Sequence, residues 1–309
     1  MRNPLDKYTT GPLLDVQNAS PTSVFEHIDY DCISEWEDIK GLKLLAIPFD
    51  PTQLTADGQG LTAGKVLTAV AEITNAEECD VCEPRQSEEA KRANRMPNVF
   101  LVHGLQNNQA EILLERKIWS SLAITFRVSR FAPTCPNFLF TIKGWKTITL
   151  KSVYPVVKLV WDSEKACSFI SGLIDAVPPA QRENVKKEIK ALLESMTIVR
   201  LDTKEVGNTL TPRFNVYADS SMISIDEVWS RLRAHYAARA YFSTTLGKGT
   251  VEQNPFNCTL CHGVDHPRGL CPFPDTPDWN GPKRDTNVDR RNARNRGSES
   301  WGQRGQTRF

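Results

Sequence analysis

The sequence predicts an α+β fold, and three observations carry that expectation. Short apolar runs of strand length, some alternating with period two, sit between longer segments whose apolar residues recur every three to four positions. Within 98–143 two adjacent strands follow a helix, giving the order β-α-β-β, and a similar order returns further along. The chain has 309 residues and 40% apolar content, enough to build a real core.

Residues 1–60 mix acidic stretches such as DYDCISEWED with Pro, Gly and Ser, show no sustained period, and read as mostly irregular. A helix is predicted over Leu61–Thr74, with Val66, Val70 and Ile73 on one face. The polar run NAEECDVCEPRQSEEAKRANRMP then reads as a linker. Asn98–Leu105 (NVFLVHGL) is a strand, and Asn107–Ser120 a helix bearing Ala110, Leu113, Leu114 and Ile118. Next, ITFRVSRF sets Ile124, Phe126 and Val128 against Thr125, Arg127 and Ser129, and NFLFTIKGW alternates Phe138, Phe140 and Ile142 in the same way.

The second round opens with Val156–Trp161 (VVKLVW) as a strand, followed by helices at Ser163–Ile174 and Ala180–Glu194. Strands are expected at Thr197–Asp202 and Arg213–Ala218. The last helix should start on a capping box, Ser224 with Glu227, and bury Ile225, Val228, Trp229, Leu232 and Tyr236. The pattern fits RRM-like β-α-β-β layers, with room for two such units side by side.

The resulting organisation is an irregular acidic region over 1–96 with one helix, then the α+β region over 97–246. A flexible linker (247–257), a small metal module (258–271) and a disordered basic tail (272–309) follow.

The module is legible from its spacing. Cys258, Cys261, His266 and Cys271 form Cys-x2-Cys-x4-His-x4-Cys, the pattern of a CCHC zinc knuckle. The Cys-x2-Cys turn places two thiolates on one side of the metal, and two four-residue loops return the imidazole and the last thiolate. A closed Cys3His tetrahedron implies one structural Zn2+, and ligation must supply the folding free energy of so short a segment, ~10 kcal/mol or more. Two alternatives stand beside it. Cys258-Thr-Leu-Cys261-His262 also matches a c-type haem attachment site, which would leave Cys271 unexplained. His262 could replace His266 as ligand, although it sits directly beside Cys261 and reaches the metal poorly.

This segment resembles the CCHC knuckles of retroviral and retrotransposon Gag or nucleocapsid proteins. With PNVFLVHGL, ERKIWSSLAITFRV, PNFLFTIKGW and the terminal CHG-DHP-GLCPFP-WNGP block, Pro97 to Pro282 is similar to a Gag-like family of mushroom-forming (basidiomycete) fungi. The resemblance implies a packaging or chaperone protein that binds single-stranded RNA or DNA and self-associates on it. The α+β pattern, rather than an all-helical capsid pattern, leans toward the non-LTR type. The chain departs from common knuckles, which carry Gly where His262 and Asp265 stand and an aromatic where Thr259 stands.

Stacking on bases would therefore fall to Phe256, Phe273 and Trp279, and phosphate contact to Arg268, Lys283, Arg284, Arg290, Arg291, Arg294 and Arg296. Charge is distributed to suit: the net is −8 over 1–96, +7 over 97–250, −3 over 251–282 and +5 over 283–309. Phe126, Phe138 and Phe140 read first as core, with an RRM-style stacking role as the alternative. Arg127, Arg130, Lys143 and Lys146 are further electrostatic candidates.

No catalytic residues are expected. Nucleophile elbow, phosphate loop, HExxH and deaminase signatures are absent, and YADS (Tyr217–Ser220) falls short of a polymerase motif. Cys79-Asp-Val-Cys82 is a lone CxxC among acids, which would raise a thiol pKa. No signal sequence or apolar run of about 20 residues appears, so reduced thiols and an intracellular location are expected, cytoplasm or nucleus left open. Neither a membrane nor a small-molecule substrate is expected as a partner. A host RNA-processing factor and a zinc-knuckle protein adaptor are the rival functions.

Overall fold

A computed structural model of the chain describes Tyr8 and residues 15–50, 56–132, 134–145, 149–204 and 209–284. It is α+β, with two five-stranded antiparallel sheets.

The first sheet begins well inside the region expected to be irregular. Helix α1 (Tyr30–Asp38) is capped by Asp29, whose Oδ1 accepts from the amides of Asp31 and Cys32 at 3.1 and 3.4 Å. Strand β1 (Lys43–Pro48), α2 (Ala56–Thr74), β2 (Asp80–Cys82) and the short α3 (Glu88–Arg92) follow. Then come β3 (Phe100–His103), α4 (Asn107–Arg116), β4 (Ile118–Ser120) and β5 (Thr125–Arg130). The strands lie in the order β2-β3-β1-β5-β4, with Ala46 of β1 opposite both Phe100 and Val128.

Strand β1 explains why this region hid from periodicity. Leu44 and Ala46 face the core under α2 and α4, built by Val66, Val70, Ile73, Ala110 and Leu113. Leu45 and Ile47 face the opposite cluster with Cys32 and Trp36 of α1. A strand buried on both faces loses its polar alternation. The polar run after α2 is likewise no plain linker: it holds β2 and α3, and β2 pairs with β3. Gly104, at φ +80°, is required where the chain leaves β3, because a Cβ there would stand 2.5 Å from the Glu78 carbonyl oxygen.

The second sheet is built from β6 (Phe138–Lys143), β7 (Thr197–Lys204), β8 (Leu210–Tyr217), β9 (Tyr241–Ser243) and β10 (Gly247–Val251), in the order β7-β8-β6-β10-β9. Helices α5 (Leu150–Trp161), α6 (Glu164–Asp175), α7 (Arg182–Glu194) and α8 (Asp226–Ala237) complete it. Both sheets place their first strand at the centre, their fourth strand as the short outer half of a terminal hairpin, and their last strand beside the first.

Five further expectations are corrected. Asn107–Ser120 is not one helix: α4 ends at Arg116, and Ile118–Ser120 is strand β4 paired with β5. Val156–Trp161 is the end of helix α5, not a strand: Val153, Val157 and Trp161 are buried at four-residue spacing, while Leu159 is exposed. The β-branched run VV within it imitates a strand. The boundary between units falls between β5 and β6, so the β-α-β-β run read over 98–143 straddles two sheets. The expected linker 247–257 contains β10, which pairs with β6 and β9. The capping box at Ser224 does not form; its Oγ and N–H bond Glu188 of α7 instead, each at 3.1 Å.

The core of the second unit packs these helices on Phe140, Ile142, Phe214 and Val216, with the Trp161 and Tyr236 rings stacked at 4.6 Å. Among the described residues no helix is long and apolar enough to cross a membrane.

Candidate metal centre

The local turn around Cys258–Gly263 brings the first ligands together. The Cys258 amide donates to the Gly263 carbonyl (2.9 Å), and the His262 amide to the Cys258 carbonyl (2.7 Å). His262 takes φ +63° to close this turn, the position where common knuckles use Gly. The Gly263 amide then points at Cys261 Sγ, 3.4 Å away.

The ligand atoms of Cys258, Cys261, His266 and Cys271 lie within 4.8 Å of one another, and all four residues are buried. A tetrahedral site with metal–sulfur bonds of about 2.3 Å needs sulfurs about 3.8 Å apart, so the cluster suits one ion. His266, not His262, completes it, with Nε2 facing Cys261 Sγ at 3.3 Å. Hydrogen bonds from the Cys261 and Cys271 thiols hold the Cys258 thiol well below its usual range. Burial works against protonation of His266, but its bonds to Asp265, Cys258 and Cys271 outweigh it and push it up to about 11. Three sulfurs and one imidazole nitrogen converging in a buried site form a soft donor set that suits a metal ion such as zinc.

Asp265 is the residue the spacing pattern did not reveal. Its Oδ1 lies 2.7 Å from His266 Nδ1, its Oδ2 accepts from the Tyr217 hydroxyl at 2.8 Å, and its carbonyl accepts from Asn215 Nδ2 at 2.5 Å. Asn215 Oδ1 in turn meets the Thr141 hydroxyl at 2.7 Å. A carboxylate on the distal nitrogen of a ligand histidine fixes its tautomer and ring orientation. Here it also ties the cluster to the two central strands of the second sheet. The only sequence signal was an acid standing where Gly is common.

The module is not a separate bead. Cys258, Leu260, Cys261 and Cys271 share a core with Phe273, Trp279, Phe49 and Ile118. Phe273 and Trp279 stack at 5.5 Å, and the Phe49 ring meets each edgewise at 5.3 Å. The Asn280 amide donates to Ser120 Oγ of the first sheet (3.0 Å). The Val264 amide donates to the Gln17 carbonyl, and Gln17 Oε1 accepts from the Phe138 amide, each at 3.1 Å.

This burial corrects part of the expected contact set. Phe273 (2% exposed) and Trp279 (9%) are core residues under the cluster and offer no face to a base. Arg284 bonds the Cys271 carbonyl and pairs with Asp275, while Arg268 donates to Thr259 Oγ1 (3.0 Å) and the Lys283 carbonyl (3.1 Å). Both are spent on bracing the module. Lys283 is exposed, and Phe256 is half-buried with the Arg213 guanidinium 5.5 Å over its ring. Arg290, Arg291, Arg294 and Arg296 lie outside the described residues, as does Lys146.

In the sheets, Phe126, Phe138 and Phe140 are buried core residues. Arg127 is no surface contact: burial lowers its pKa to about 10, and its Nη atoms bond the Val16 carbonyl and Asn18 Oδ1. Arg130 pairs with Glu111 and Lys143 with Glu252. Cys82 Sγ lies 3.4 Å from His103 Nε2, and burial raises the Cys79 and Cys82 thiols; among the described residues the Cys3His group is the one set of three or more donors placed to hold a metal ion.

Fold and site together define an α+β protein with a buried, closed Cys3His centre built into the core where its two sheets meet. No protein-family model, curated protein or solved structure matches the chain.

Proposed function

We propose that the chain binds single-stranded nucleic acid, RNA in preference to DNA, and that one structural Zn2+ at the Cys3His centre organises the binding surface. The supporting observation is the centre itself: four sulfur and nitrogen donors converge with no position left for a substrate, which suits structural rather than catalytic zinc. Both sheets follow the strand order of split β-α-β units with a terminal hairpin, which supports reading them as RRM-like. The Gag-like packaging role rests on the sequence resemblance over Pro97 to Pro282.

With Phe273 and Trp279 buried, base stacking is assigned to Phe256, and phosphate contact to Lys283 and to the basic cluster Arg290, Arg291, Arg294 and Arg296. The same burial favours a second reading, an adaptor whose zinc only braces a protein-binding surface.

Fluorescence anisotropy of the full chain on single-stranded RNA, with and without chelator and across a salt series, separates the two. Chelator-sensitive binding whose log K falls linearly with log salt is the expected result. A folded, zinc-loaded chain with no affinity for RNA at physiological salt refutes nucleic-acid binding and leaves the adaptor.

A further inference from the structure

The four ends of the two sheets are not alike. Three of them, β2 (Asp80–Cys82), β4 (Ile118–Ser120) and β9 (Tyr241–Ser243), are strands of three residues. The fourth, β7 (Thr197–Lys204), is eight residues long and pairs with β8 along its whole length without a bulge. It contains no proline, and Thr197, Val199, Arg200, Asp202 and Lys204 are exposed. Among the described strands β8 is its single partner, so its other side carries a row of backbone amides and carbonyls that no described strand pairs. Short strands, bulges and prolines are the usual ways of blunting a sheet edge. This chain applies the first at three ends and none of them at the fourth.

We propose that β7 is an interface between two copies of this chain, which join their second sheets edge to edge into one antiparallel sheet of ten strands. The charges on β7 select this occupant. Charged side chains normally guard an edge by repelling a second strand. On β7 they alternate in sign, with the Arg200 guanidinium 2.7 Å from the Asp202 carboxylate two residues on. A second β7 laid antiparallel about a two-fold axis through Leu201 sets Arg200 of each copy opposite Asp202 of the other, closing a square of alternating charge. The nearest registers that keep each face of the sheet matched lie two residues to either side. One opposes Arg200 to Arg200, the other Asp202 to Asp202, and like charges directly opposite are unfavourable. On the opposite face the favoured register gathers Val199, 46% exposed, and half-buried Leu201 of both copies into one apolar strip. The association goes beyond the nucleic-acid reading above and needs no RNA.

The test is sedimentation of the full-length, zinc-loaded chain, freed of nucleic acid by nuclease, from about 1 to 200 μM, a span suited to a small reversible interface. The wild type should pass from monomer to dimer within that range. Arg200→Asp alone, or Asp202→Arg alone, opposes like charges at both contacts and should weaken the dimer about tenfold or more. The double substitution Arg200→Asp with Asp202→Arg restores opposite charges in the same register and should return the affinity to within about threefold of wild type. Either single substitution suffices, so the test stands if one of them fails to fold. A folded wild type that stays monomeric throughout overturns the interface. A dimer that ignores the single substitutions, or one that the double substitution does not restore, also overturns it. Because no nucleic acid is present, none of these outcomes bears on RNA binding.

Discussion

Asp265→Ala is the substitution that most directly tests how the metal centre is built. The carboxylate bridges two buried groups, His266 Nδ1 at 2.7 Å and the Tyr217 hydroxyl at 2.8 Å, with the Asp265 and His266 side chains 14% and 9% exposed. Loss of the orienting partner of a ligand histidine weakens metal binding by roughly 10- to 100-fold, or about 1.4–2.7 kcal/mol. The Tyr217 hydroxyl keeps the amide of Asn215 as a donor but loses its acceptor, at about 1–3 kcal/mol. The zinc-loaded variant should therefore lose about 2.4–5.7 kcal/mol, a large share of the stability of an ordinary domain. Competition against a chelating dye measures the first component, and guanidinium unfolding of the zinc-loaded chain measures the sum. Tyr217→Phe is the control: it should cost about 1 kcal/mol in unfolding and shift zinc affinity by less than about threefold. An alanine variant that holds zinc as tightly as wild type, or a Tyr217→Phe variant that loses as much affinity as Asp265→Ala, refutes the orienting role.

Three further outcomes follow from the packing. Chelation of the full chain should release Phe49, Phe273 and Trp279 from their shared core, lowering stability by about 5 kcal/mol and shifting tryptophan emission to the red; an unchanged unfolding midpoint would refute the docked arrangement. Gly281→Ala puts a Cβ 2.4 Å from Trp279 Cζ2, and should cost about 1–3 kcal/mol in a denaturant melt; a neutral result would show that the Trp279 ring is not held there. Glu252 accepts from Lys143 and Arg213; burial opposes its ionisation, but these partners outweigh it and hold the carboxyl below its ordinary pKa. A depressed carboxyl contributes stability above about pH 4.3 that is lost as pH falls through the folded pKa. Glu252→Gln should thus be about 1–3 kcal/mol less stable at pH 7, with the gap to wild type closing below about pH 4. A gap that stays constant in urea melts across that range would assign the loss to packing instead.

The clustering of the four donors and most of the regular elements were legible because each rests on a short-range rule. Four ligands at knuckle spacing needed no context, and α2, α7 and α8 announced themselves by their apolar stripes at Val66–Val70–Ile73, Val185–Ile189–Leu192 and Val228–Trp229–Leu232–Tyr236. Strand β1 was lost because both its faces are buried, and β10 because Gly247 and Gly249 make it look like a linker. Gly249 is in fact demanded by the second core, since a Cβ there would stand 2.6 Å from Trp145.

By itself, then, the sequence determined the α+β class, the Cys3His donors and the helices with a one-sided apolar face, since residue spacing along the chain decides each of them. Only the tertiary structure decided where the sheets divide, that Phe273 and Trp279 belong to the core, and that Asp265 joins His266 to Tyr217. Those facts depend on residues 48 or more positions apart, such as Tyr217 with Asp265 and Phe49 with Trp279, being brought together. No local period encodes that meeting; it is set by the burial of one surface against another.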